Sequence, residues 1–140
     1  MVGLSIFSIL AAIAVPRMSA YRAHYNLDRA AQQLAFEVGR TRMLAVGENT
    51  PARLRFGNTG TGLYALAKDF TMERSADGTT FTAVGPKTNL PANIQVYAFP
   101  PTLRFTRQGL ATSTASFYLF NDRNAWKTVS VNTLGRVTIQ

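Results

Sequence analysis

The 140-residue sequence contains no cysteine, one histidine and one tryptophan, and it sets only seven aspartates and glutamates against fifteen lysines and arginines. Without cysteine there is no disulfide framework, no thiolate zinc site and no cysteine nucleophile; an oxidising compartment is neither supported nor excluded. The lone histidine, His24, has Asp28 one helical turn on. That pair reads as a solvated side-chain contact, because spacing places no serine and no second ligand to complete a site. Among the scarce acids, Asp69, Glu73 and Asp77 recur every fourth residue. They lack the alternating oxygen ligands and fixed glycine of a calcium loop, so they read as part of a polar loop. Internal repeats and low-complexity tracts are also missing. This inventory supplies no catalytic, cofactor-binding or metal-binding set, and an enzyme is not expected.

What is present begins with charge. The net charge is +8, and twelve of the fifteen bases are arginine, a surface drawn to phosphates, anionic headgroups or acidic proteins. The bases are dispersed rather than blocked, which favours a solvated basic surface over a dedicated nucleic-acid face. Trp126 reads as a packing residue beside a strand in preference to a base-stacking platform. The length allows one domain with a real core.

The organising stretch is residues 1–46. Residues 1–15 (MVGLSIFSILAAIAV) carry no charge, and only Gly3, Ser5 and Ser8 interrupt their apolar character. As a helix they reach about 22 Å, short of a hydrocarbon core of about 30 Å. Three readings compete. A secretory signal peptide wants a basic leader that Met1, Val2 and Gly3 do not supply, although residues 12–14 pass for a cleavage site and would release a soluble periplasmic protein. A buried core helix should show a polar side. The third is a membrane helix whose beginning lies upstream, with Arg17 and Arg22 just past the apolar run; taken without a basic leader, that run would orient the domain to the cytoplasm.

Beyond Pro16 the chain stays helix-like. Leu27, Ala31, Leu34, Val38 and Ala45 form one stripe, with Arg22, Arg29, Glu37 and Arg40 largely off it. A continuous helix of about 45 residues would be roughly 68 Å long, kinked or loosened at Pro16 and stopped by Gly47, Asn49 and Pro51. The period then changes to two. Ala52, Leu54 and Phe56 alternate with Arg53 and Arg55 as a half-buried strand, with residues 63–67 expected to return as its hairpin partner. The intervening Gly57, Gly60 and Gly62 join strands and precede no Lys-Ser/Thr, so they are a turn and not a phosphate loop. Residues 71–89 read as irregular, with a turn at Asp77 and Gly78. Strands follow at 94–98, 103–105 and 116–120, and a terminal hairpin pairs 128–132 with 136–140. In that hairpin Val129, Val131, Val137 and Ile139 face inward, Thr128, Ser130, Arg136 and Thr138 face outward, and Gly135 takes the positive-φ turn position.

The segment GLSIFSILAAIAVPRMSAYR resembles the N-terminus of type IV pilins and type II secretion pseudopilins. Aligned on Pro16, Met1 falls inside the mature family N-terminus. The resemblance therefore implies that the basic leader, the cleavage glycine and the glutamate typical of the family lie upstream, outside this sequence. Leu34, Val38, Arg42 and Ala45, then Leu90-Pro91 before Ile94 and Val96, Phe105 before Gly109, and Gly135-Arg136-Val137 resemble the GspH/FimT family. That resemblance implies an α+β fold, with a long N-terminal helix packed on an antiparallel β-rich domain of two small sheets. Residues 1–46 would be the membrane and filament helix and residues 47–140 a periplasmic domain.

The resemblance also implies a minor pilin or pseudopilin. Its partners would be other pilins, inner-membrane lipid and the inner-membrane assembly platform, in support of protein secretion or pilus biogenesis. Leu4, Ile6, Phe7, Ile9, Leu10, Ile13, Val15 and Pro16 would form the membrane and filament face. The alternative is the FimT-like role, capture of double-stranded DNA for uptake. There the family motif sets two arginines two residues apart after a glycine, about 7 Å apart on one strand face. This sequence keeps Gly135 and Arg136 but has Thr138 second, and Arg104, Arg107, Arg123 and Lys127 are the bases near enough in sequence to compensate.

Overall fold

A computed structural model describes residues 2–57 and 65–140, with the backbone alone for residues 2–17 except at Ile9 and Ala12. One helix, α1 (Val2–Gly47), runs for 46 residues, and its backbone stays helical through Pro16. Its inward stripe is Leu27, Ala30, Ala31, Leu34, Val38, Thr41 and Ala45, each no more than 2% exposed. The small residues let the sheets approach closely, while burial of each large aliphatic contributes about 1.5–3 kcal/mol. Thr41 is tolerated in this stripe because its hydroxyl donates to the Glu37 carbonyl at 2.7 Å, within the helix itself. At the C-terminus, Asn49 adopts φ 52° and the Thr50 N–H returns to the Ala45 carbonyl at 3.1 Å. This left-handed cap, followed by Pro51, ends the helix where the sequence indicated.

Ten strands follow among the described residues: β1 (Ala52–Phe56), β2 (Ala65–Ala67), β3 (Asp69–Arg74), β4 (Thr82–Ala83), β5 (Thr88–Asn89), β6 (Ile94–Phe99), β7 (Thr102–Phe105), β8 (Ala115–Asn121), β9 (Trp126–Val131) and β10 (Val137–Ile139). They form two antiparallel sheets. The first has the order β4-β3-β1-β7, with β5 also on β3; the second has the order β10-β9-β8-β6-β2. Both pack on α1. Phe56 and Phe70 of the first sheet join Phe117 of the second, with ring centroids 5.8 Å and 4.9 Å from Phe56, and stitch the sheets into one core with the helix stripe.

Three expectations are corrected. The strand at 52–56 does not pair with the segment ending at Ala67. β1 has β3 on one side and β7 on the other, and β2 joins β6 in the second sheet. Alternation dictates that a strand has one buried face, but it carries no information about which strand it pairs with. Residues 71–89 are not wholly irregular, since residues up to Arg74 belong to β3 and bury Met72 and Glu73. In the terminal hairpin the register Val137↔Val131 and Ile139↔Val129 matches expectation. However, β10 is an edge, so Ile139 is 39% exposed, and Thr128 on the opposite face is buried. Gly60, Gly62 and Leu63 of the glycine-rich connection lie outside the described residues.

Candidate functional site

Two tight turns meet against α1. In the first, the Gly109 N–H donates to the Thr106 carbonyl at 2.9 Å; in the second, the Gly135 N–H donates to the Asn132 carbonyl, also at 2.9 Å. The Ala111 N–H ties the two by donating to the Thr133 carbonyl at 2.9 Å. Gly109 and Gly135 have φ of +78° and +76°, the left-handed region where a side chain is strained. Space forbids one as well. A Cβ on Gly109 would lie 2.8 Å from Val46 Cγ2, and one on Gly135 would lie 2.9 Å from Arg42 Nε. Arg42 uses that same Nε to donate to the Gly109 carbonyl at 2.9 Å. Its guanidinium base therefore pins both turns to the end of the helix.

Arg42 was missed as a site residue. Its signal was a base at a stripe-like spacing from Leu34 and Val38. Arg107 lies in the first turn and Arg136 follows the second, its N–H held by the Asn132 carboxamide at 2.9 Å. All three arginines are exposed, and none takes part in the ion pairs found among the described residues. The junction is thus a solvent-facing concentration of positive charge on a rigid, doubly tied support.

The other nominated bases sit elsewhere. Arg104, on β7, donates through Nη2 to the Gly78 carbonyl at 2.7 Å and lies 5.0 Å above the Phe81 ring. Lys127 pairs with the Asp28 carboxylate on the helix. Arg123 donates through Nη2 to the Ser19 hydroxyl at 3.1 Å. It precedes β9, whereas Arg136 follows it, so about 20 Å of strand separates them. Only Arg107 and Arg136, of the five nominated bases, share one junction. Trp126 is 67% exposed, which corrects the packing reading: it sits at the first position of β9 with its ring turned to solvent.

The three spaced acids are each engaged locally. Glu73 accepts from Arg53 Nε at 2.5 Å, and Asp69 lies 3.5 Å from Lys87. Asp77 accepts from the Thr80 and Thr79 N–H groups at 2.7 and 2.9 Å and from the Ser75 hydroxyl at 2.9 Å. These bonds, that of Thr80 foremost, hold its carboxyl well below the usual carboxylate range. Among the described residues no three His, Asp or Glu side chains gather to hold a metal ion.

At the other end of the molecule, no described residue before Leu27 is buried, and Ile9 is 62% exposed. The side chains of Leu4, Ile6, Phe7, Leu10, Ile13, Val15 and Pro16 lie outside the described residues. No helix among the described residues is long and apolar enough to cross a membrane.

A family model described as type II transport protein GspH matches residues 30–135. No curated protein sequence matches the chain. Among solved structures, the type IV minor pilin FimU of Pseudomonas aeruginosa superposes with a TM-score of 0.65 at 16% identity, covering 86% of this chain and 92% of its own. The minor pseudopilin EpsH from the type 2 secretion system of Vibrio cholerae superposes with a TM-score of 0.64 at 12% identity, covering 82% and 96%. At these identities the likeness is one of fold: one long helix followed by antiparallel sheets.

Proposed function

From the premise that this chain belongs to the GspH family of type II transport proteins, we propose that it is a minor pilin or pseudopilin subunit. It is held in the inner membrane through the apolar head of α1, with its β-rich domain in the periplasm, and it enters a type II secretion pseudopilus or a type IV pilus. The observation that carries this reading is one uninterrupted 46-residue helix whose buried contacts, among the described residues, begin only at Leu27. More than twenty residues at about 1.5 Å each extend past the first buried position, a rod of over 30 Å whose apolar first fifteen residues need lipid or neighbouring helices around them. The assembly platform and sister pilins are the partners this implies. A photo-crosslinking residue placed at Ile9 in cells tests it. Adducts with other pilins or pseudopilins are expected from a membrane fraction, and a soluble product without adducts would remove the reading.

A second reading, capture of duplex DNA in the manner of the FimT branch, draws support from the Arg42, Arg107 and Arg136 junction. Thr138 offers a hydroxyl there but no charge, and phosphate binding without charge releases no counterion. The two extra arginines at the paired turns supply what the strand motif lacks.

A further inference from the structure

The apolar run ends at Pro16 and Arg17, and the next two turns of helix have an interfacial composition. Tyr21 and Tyr25, one turn apart on one face, are 75% and 58% exposed. Exposed aromatics beside bases at the end of an apolar helix are the anchors expected at headgroup level. Between this part of α1 and the turn joining β8 to β9 lies a cavity of about 190 Å³, bordered by Ser19, Arg22, Asn93, Asn121, Asp122 and Arg123. Arg123 reaches from the turn to the helix through its bond to the Ser19 hydroxyl.

Asn121 is also part of the lining. Its Oδ1 accepts from the Arg123 and Ala125 N–H groups, each at 3.0 Å, which fixes the orientation of the carboxamide. The side chain is only 5% exposed, and its Nδ2 is buried without a protein acceptor. A buried donor with no acceptor costs about 1–3 kcal/mol unless a ligand or water meets it. Two guanidinium groups favour an anion, and Asp122 in the same lining supplies a counter-charge for an attached cation.

Depth selects the anion. Ser19 and Arg22 lie about 3 and 7.5 Å along the helix beyond Arg17, within the layer of about 5–8 Å that headgroups add on each side of the hydrocarbon. We infer that this cavity is a phospholipid headgroup site, the phosphate meeting Arg22 and Arg123, with Asp122 facing an ammonium where the headgroup carries one. It would hold the β-domain at a set height and rotation on the bilayer. The inference rests on the membrane-anchored reading above.

The test uses the full chain in bilayer discs of phosphatidylethanolamine and phosphatidylglycerol, beside discs of digalactosyl diacylglycerol, which has no phosphate. After transfer to detergent, native mass spectrometry counts retained lipid. One phospholipid and no galactolipid is the expected result. Retention should fall about tenfold or more in the Arg22→Ala, Arg123→Ala double variant, and Arg40→Ala, farther along the helix, should match the unaltered chain. Both substituted side chains are exposed; if the double variant nonetheless melts earlier, Arg22→Gln with Arg123→Gln replaces it. Equal retention by the double variant, or of galactolipid, overturns the site. Inorganic phosphate that saturates the cavity while phospholipid does not would assign it to the free ion and likewise overturn the lipid. Flotation of the discs is scored separately. A chain that does not float refutes the membrane anchor, whereas one that floats yet ignores the substitutions refutes only the headgroup site.

Discussion

Arg42, Gly109 and Gly135 are far apart in sequence and meet at one point, and their substitution effects should differ in kind from those at other glycines. Gly135→Ala places a methyl group 2.9 Å from Arg42 Nε on a backbone at φ +76°; a loss of about 1–3 kcal/mol in urea unfolding is expected from strain and displacement together. Gly39 sits inside the helix with nothing within 4 Å of an added Cβ. There alanine should stabilise by about 0.5–1 kcal/mol in the same measurement, through helix propensity. Asp77 gives a pH signature. Because its folded-state pKa is depressed below the ordinary 3.8, its contribution is intact above that pH and is lost as pH falls through the lower folded value. Asp77→Asn should therefore lower stability at neutral pH and, having no such contribution left to lose, flatten the acid limb of a stability–pH curve below about pH 4.

For the elements, the helix and the sheets were legible to different degrees. A stripe repeating every three or four residues identifies both a helix and its buried face, and each of Leu27, Ala31, Leu34, Val38 and Ala45 is buried. Leu34→Ala should cost about 2–5 kcal/mol by thermal or urea unfolding. Phe36→Ser, at a position 68% exposed, should stay within about 0.5 kcal/mol. The strands other than β3, β4 and β5 were located from period-two patterns, yet the partner of β1 was not, since β3 and β7 come to it from residues 69–74 and 102–105. The polar composition of β3 disguised it: Glu73 is buried only because Arg53 and Arg55 reach it across the sheet. A carboxylate whose burial depends on a distant guanidinium cannot be distinguished in sequence from one in a loop.

Across the whole molecule, two groups of arginines stand apart from the ion pairs found among the described residues. The paired-turn junction carries Arg42, Arg107 and Arg136, and the cavity beside the start of the β-domain carries Arg22 and Arg123. If the junction binds duplex DNA, Arg136→Ala should weaken affinity and reduce the slope of log K against log salt by about one, in gel shifts across a salt series. Arg104→Ala should leave that slope nearly unaltered, because its guanidinium is committed to Gly78 and Phe81. The sequence by itself determined the continuous rod, its buried stripe, its stop at Gly47 to Pro51 and the antiparallel strands after it. Each of these follows from local periodicity and backbone preference. Only the tertiary structure decided which strands became neighbours and which bases share a surface, why two glycines surround Arg42, and that Arg22 of the helix and Arg123 of a distant turn line one cavity. Those outcomes depend on contacts between residues tens of positions apart, which no local pattern encodes.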